Sequence, residues 1–192
     1  MFAEYERRLG VPSDIRDHMP ELFRETLSRA VTRGARVVDL GVRTGNSAAA
    51  FLAAAQVARN GKVWSFDLDV PDVPELFWRS RAWSFHQLDA LSQEALDAGP
   101  AMADVLFVDL DPHSYEQTLA VLRLWVPMVR PGGVVLCHDT EWPEINGVAP
   151  GSAESEVGRA LDDFCAEMGG LAWENRHGNN GLGVLRLPCG HA

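Results

Sequence analysis

The chain has 192 residues, 46% of them hydrophobic and 23% charged, which suits one compact domain with a sizeable core. Its formal net charge of −10 argues against an electrostatic grip on nucleic acid or an anionic membrane, because no Lys/Arg cluster stands out. No apolar run is long enough to span a bilayer. Cys137, Cys165 and Cys189 are odd in number and unspaced for zinc, and the N-terminus lacks a signal-peptide pattern, so a cytoplasmic protein with a small-molecule partner is expected.

Residues 1–34 read as an N-terminal helical layer. Ser13 is a candidate N-cap, Pro20 suits the first turn of a second helix, and Leu22, Phe23, Leu27, Ala30 and Val31 recur at helical spacing. The layer could lean on a sheet, form part of a lid or make a homodimer contact. From Arg36 the chain runs R-V-V-D-L-G-V-R-T-G-N-S, a strand that passes through Asp39 into a turn with Gly41 and Gly45. Ser47 then opens the alanine-rich helix pattern Ala48 to Ala58, which stops near Asn60-Gly61. Glycine permits close backbone approach, and a helix start offers free N–H groups, so this turn is a candidate nucleotide-type cofactor site.

Lys62 to Phe66 reads as a second strand that delivers Asp67, roughly twenty to thirty residues past the turn, where an acid can accept both hydroxyls of a ribose. Pro71 to Ser80 reads as an irregular loop. A strand over Trp83 to Gln87 leads to Asp89, which is either an acceptor for an adenine amine or a turn residue. Ala103 to Val108 is a strongly apolar strand that empties into Asp109-Leu110-Asp111-Pro112-His113-Ser114-Tyr115. The next helix is expected to bury Leu119, Leu122, Val126 and Val129 and to end at Arg130-Pro131-Gly132-Gly133. Val134 to Cys137 is another strand, ending in His138-Asp139-Thr140. A loop over Glu141 to Ser152, a helix from Glu154 to Met168 and a hairpin of Leu171 to Asn175 with Leu182 to Leu187 close the chain. Strands alternating with helices imply a doubly wound, mostly parallel α/β sheet.

Five segments in order resemble the class I S-adenosylmethionine-dependent methyltransferases, and among them the small-molecule O-methyltransferases. They are V-V-D-L-G-V-R-T-G-N-S, S-F-D-L-D, F-V-D-L-D-P-H-S-Y-E, R-P-G-G-V-V-L-C-H-D and G-L-G-V-L, within a core over 35–187 of a single domain spanning 1–192. The resemblance implies a seven-stranded sheet with the last strand antiparallel, helices on both faces, and S-adenosylmethionine over the carboxyl ends of the first strands. Carried over by position, Asp39, Gly41, Val42, Arg43, Gly45, Asn46 and Ser47 would line the methionine part, Asp67 the ribose and Asp89 the adenine, with Asp109 at the reacting end. Arg43 stands at a glycine position of the denser G-x-G-x-x-G that a pyrophosphate favours, and Asp39 could face a cationic aminoacyl group or simply fix the turn.

Chemistry is expected where Asp109, His113, His138 and Asp139 converge. Metal-dependent relatives place one acid after the fourth strand and an acid-rich pair after the fifth, so Asp109, His138 and Asp139 are the candidate ligands for Mg2+ or another divalent cation. His138 could instead be a general base in a metal-free reaction or a structural residue, and His113 could reach the acceptor or the D-P-H-S corner around it could cap a helix. Tyr115 and Trp142 are candidates to shape the acceptor pocket. The expected activity is methyl transfer to a hydroxyl of a sugar or natural-product intermediate. The alternative is a degenerate binding or accessory protein, with Leu110 where the family has glycine.

Overall fold

The computed structural model describes residues 15–29, 34–141 and 155–189. Its strands are β1 Arg36–Leu40, β2 Lys62–Asp67, β3 Trp83–Gln87, β4 Ala103–Val108, β5 Val129–His138, β6 Trp173–Arg176 and β7 Leu182–Arg186. They form one seven-stranded sheet in the order β3-β2-β1-β4-β5-β7-β6. Strands β1 to β5 pair in parallel, and β7 runs antiparallel to both β5 and β6. Six strands therefore share one direction and the last opposes them, as expected. Sheet order reverses between β1 and β4, which opens a crevice at their carboxyl ends.

The helices are α1 Met19–Ser28, α2 Asn46–Val57, α3 Glu75–Trp78, α4 Gln93–Ala98, α5 Tyr115–Trp125 and α6 Glu156–Glu167. Successive strand residues point to opposite faces, so the apolar runs feed two cores. Val37, Val63, Val105 and Val134 pack on one face with α1, α2 and α3, while Val38, Leu106, Val135 and Cys137 pack on the other with α4, α5 and α6. The alanines of α2 leave room for α1 to lie against it. Pro20 sits in the first turn of α1, where its missing N–H costs nothing. Among the described residues, no helix is long and apolar enough to cross a membrane.

Some expectations need correction. The segment Pro71 to Ser80 holds the short helix α3, because Phe77 and Trp78 dock their rings on Trp83 at centroid distances of 5.3 and 4.9 Å. Val129 belongs to β5 and not to the preceding helix, which ends in a 3-10 turn over Val126–Met128. Arg130-Pro131-Gly132-Gly133 is a bulge inside β5, where the pairing with β4 jumps from Val129 opposite Ala103 to Val134 opposite Val105. Arg130 there pairs with the buried carboxylate of Asp104. The helix α4 was not expected at all; Ser92 caps it by accepting the Ala95 N–H. Ser13, Ala30, Val31, Trp142 and most of the Glu141 to Ser152 loop lie outside the described residues.

Where β1 meets β4 there is almost no spare space. Gly41 has φ +87°, and a Cβ on it would lie 1.9 Å from the carbonyl oxygen of Asp109. Its N–H donates to Phe66 O, and the Asp109 N–H donates to Leu40 O, each at 2.9 Å. Gly41→Ala is expected to destabilise the fold by about 3 kcal/mol in urea unfolding, from left-handed strain plus forced separation of the strands. A loss below about 1 kcal/mol would show that the junction opens easily.

Candidate active site

Four chain segments meet at the carboxyl edge of the sheet. The turn after β1 carries Gly45 in a left-handed conformation at φ +77°, immediately before α2, and α2 starts with no side-chain cap. Its first-turn N–H groups therefore face the crevice side of β1, where they suit a ligand carboxylate. Asn46 Nδ2 donates to Thr44 Oγ1 at 3.1 Å within the same turn. Arg43 adopts φ +47°, the conformation that glycine takes without cost, which agrees with its place at a glycine position of the motif.

Asp67 ends β2 half-buried and ties this turn down. Its Oδ2 accepts the N–H groups of Val42 at 2.8 Å and Arg43 at 2.9 Å, and Oδ1 accepts Asp69 N–H at 3.1 Å. Oδ2 has both lone pairs engaged by the turn, whereas Oδ1 keeps one, so the carboxylate can still receive a hydroxyl. Asp89 is exposed, and its Oδ1 accepts Leu91 N–H at 2.9 Å in a turn. Asp39 is wholly buried: Ser47 Oγ donates to one oxygen at 2.9 Å and Ser65 Oγ to the other at 2.7 Å. It thus braces β1, β2 and α2 against each other, and with no exposed surface it does not face a ligand in this conformation.

Burial is the largest influence on Asp39 and pushes its carboxyl up to about 7, against the two serine hydroxyls and with help from the charges of Asp109 and Asp67. Between the ordinary value of 3.8 and about 7, the unfolded chain ionises this acid before the folded chain does. Stability from this group is therefore lost as pH rises through that window.

On the acceptor side, Asp109, His113 and Asp139 offer ligand atoms within 4.8 Å of one another. His113 Nε2 lies 3.3 Å from Asp139 Oδ2. Two of these residues hold strained backbone, His113 at φ +59° and Asp139 at φ +62°. Such conformations are kept where the surroundings over-determine them. Asp139 is 2% exposed, and its Oδ1 has no hydrogen-bond partner among the described residues. Two carboxylates, one imidazole and an orphaned buried oxygen fit a divalent cation. Within the Asp111-Pro112-His113-Ser114 corner, Ser114 caps α5 by accepting Gln117 N–H at 3.3 Å.

His138, expected among the metal ligands or as the base, stands behind this trio. It is 1% exposed, with Nδ1 3.2 Å from Asp139 Oδ2 and 3.4 Å from Asp109 Oδ1, and Nε2 2.9 Å from Asn179 O. A carbonyl only accepts, so Nε2 carries a proton. Burial alone would lower the pKa of this ring, but the carboxylates of Asp109 and Asp139 override it and raise it to about 11. The ring is then a protonated buttress and not a free base. Asp139 goes the other way: burial would raise its pKa, and the contacts with His138 and His113 hold it below the usual carboxylate range. Tyr115 turns toward α6, where its hydroxyl donates to Asp163 at 2.6 Å and Arg159 lies over its ring.

A doubly wound seven-stranded sheet with an uncapped helix start after β1 is the architecture of the class I methyltransferases, and in this chain Asp109, His113 and Asp139 gather beside it past β4 and β5. A sequence model described as a methyltransferase domain matches residues 38–140, more than half the chain, and the protein belongs to that family. No curated protein matches the sequence. Among solved structures, the O-methyltransferase TomG from Streptomyces achromogenes, involved in tomaymycin synthesis and in complex with SAM, is 15% identical, with a TM-score of 0.64 over 97% of this chain and 87% of that one. The SAH-bound methyltransferase PaMTH1 from Podospora anserina is 13% identical, with a TM-score of 0.62 over 92% and 88%. The N-methyltransferase NodS from Bradyrhizobium japonicum WM9 is 16% identical, with a TM-score of 0.58 over 91% and 97%. At such identities the likeness is one of fold.

Asp39→Asn is expected to flatten the pH dependence of stability in the ligand-free protein, gaining on the order of 3 kcal/mol relative to the native chain between acid and neutral pH. Urea unfolding across that range is the check. A parallel slope in both proteins would remove Asp39 as its source.

Proposed function

We propose that the protein is an S-adenosylmethionine-dependent methyltransferase acting on a hydroxyl of a small molecule such as a sugar or natural-product intermediate. The observation that carries this reading is the convergence of Asp109, His113 and Asp139 within 4.8 Å at the strand edge next to the glycine turn. The donor, when bound, supplies a methyl on a sulfonium, whose C–S bond breaks as the new O–C bond forms. The N–H groups at the start of α2 hold the aminoacyl end, and the free lone pair of Asp67 Oδ1 accepts a ribose hydroxyl. Asp89 has an exposed carboxylate for the adenine amine.

The acceptor must lie in line with the sulfonium and lose its proton. Without a bound cation, His113, which is partly exposed, is placed to take that proton, and Asp139 orients its ring. Asp109, the first residue past β4, is the member of the trio next to the cofactor turn and positions the hydroxyl. A divalent cation on Asp109, His113 and Asp139 would instead lower the pKa of the acceptor hydroxyl itself, with His113 then a ligand and not the base. His138 keeps both carboxylates in place from behind. The free thiols of Cys137, Cys165 and Cys189 support a reducing, cytoplasmic setting.

Incubation with S-adenosylmethionine and a panel of hydroxylated acceptors is expected to release S-adenosylhomocysteine. EDTA treatment and Asp139→Ala are each expected to lower turnover by roughly a hundredfold, restored in the first case by added Mg2+ or Mn2+. Full activity after EDTA would place the whole proton transfer on His113. Cofactor binding without turnover on any acceptor would instead indicate the accessory protein.

A further inference from the structure

The hairpin turn between β6 and β7 reaches back over the acid cluster. Its residues Gly178, Asn179, Asn180 and Gly181 all have positive φ, at +95°, +42°, +65° and +82°. Four consecutive left-handed residues, two of them not glycine, do not hold themselves in place. Yet this turn supplies the contacts that fix the end of β5. Asn179 O receives His138 Nε2, Gly181 O accepts Asp139 N–H at 3.1 Å, and Asn180 O accepts Glu141 N–H at 2.6 Å.

The outside brace comes from the other end of the chain. His18, in the 3-10 turn Arg16–His18 that leads into α1, is 4% exposed, and its Nε2 lies 2.5 Å from Gly178 O. That carbonyl also accepts Gly181 N–H at 2.8 Å, so it closes the turn and receives the brace at once. The same His18 ring stands edge-on to His138, with centroids 5.9 Å apart and planes at 73°. It thus touches both the turn and the buttress that the turn holds. Glu141 secures the opposite side, accepting Asn175 Nδ2 at 2.6 Å and Gly178 N–H at 3.4 Å and pairing with His177.

We propose that His18 is a positioning residue for methyl transfer, locking the β6–β7 turn so that His138 and Asp139 keep their orientation toward Asp109 and His113. Both the brace and the turn lie outside the residues 38–140 that match the family. The acceptor side of the site is then completed by the two ends of the chain, while the cofactor side is built within the matched core. The role in turnover rests on the methyltransferase reading, whereas the mechanical coupling of His18 to His138 does not.

The experiment compares the native protein with His18→Ala, His18→Gln and, as a packing control on the same segment, Met19→Ala. In the native protein, His18 Nε2 is expected to give a slowly exchanging imidazole N–H signal. His18→Ala is expected to speed amide exchange at Asp139 and Gly181 at least tenfold and to shift the His138 ring resonances, with β1 and β2 unchanged. It should lower kcat by roughly ten- to a hundredfold and leave KM for S-adenosylmethionine unaltered. His18→Gln, which keeps a donor for Gly178 O, is expected to restore much of both. Met19→Ala should lower stability without either effect. Unaltered exchange at Asp139 and Gly181 with an unshifted His138 ring in His18→Ala would overturn the proposal, as would the absence of the protected imidazole signal in the native protein. Failure of the native protein to turn over would refute the methyltransferase reading separately and leave the exchange and ring measurements to decide the coupling.

Discussion

The contact on which the site depends is the backbone approach of Gly41 to Asp109, so close that a single Cβ would sit 1.9 Å from the Asp109 carbonyl oxygen. It presses the carboxyl ends of β1 and β4 together at the point where the sheet order reverses. Everything on the cofactor side hangs from β1: the left-handed Gly45, the uncapped start of α2, and the turn amides that Asp67 gathers from β2. Everything on the acceptor side begins at Asp109. A separation of these two strands by even an ångström would pull a bound donor away from the group that presents the acceptor, and in-line transfer tolerates little misalignment.

Around this junction, charges are sorted by depth. Asp39, below the turn, is held by two serine hydroxyls and held near neutrality by burial. His138, below the acid trio, is charged because two carboxylates face it. The groups left at the surface of the crevice, Asp67, Asp109 and His113, are partly exposed and therefore available to ligands. Buried polar groups thus build the platform, and their exposed neighbours carry the recognition.

The strands and the glycine turn were legible in the sequence because their signals are local. The runs ending in Asp39, Asp67, Asp109 and His138 are apolar and β-branched, and each delivers a polar residue to the same edge. The metal-ligand expectation over Asp109, His138 and Asp139 counted positions past a strand, whereas in the structure it is His113 whose ring nitrogen gathers with the two carboxylates within 4.8 Å. The backbone after β4 turns through a positive φ at His113 and swings that ring to Asp139, while His138 is still within β5 and points into the protein. For Asp39 the sequence left open a ligand contact or a role in fixing the turn, and the register that sets Ser65 opposite it, with Ser47 on the other oxygen, shows the bracing role. Arg130-Pro131-Gly132-Gly133 carried the composition of a helix stop and formed a strand bulge, because Asp104 waits across the sheet for Arg130. His18 could not be assigned a role from the sequence at all: its partner lies 160 residues away.

The central claim is that the turn after β1 cradles a sulfonium nucleoside and that Asp67 reads its ribose. Calorimetric titration of the native chain and of Asp67→Ala, each with S-adenosylmethionine and with NAD, tests it most directly. The account predicts one S-adenosylmethionine per native chain, no measurable heat from NAD, and an affinity loss of about 2 kcal/mol or more in Asp67→Ala. Equal affinity in both proteins, or preference for NAD, would contradict it.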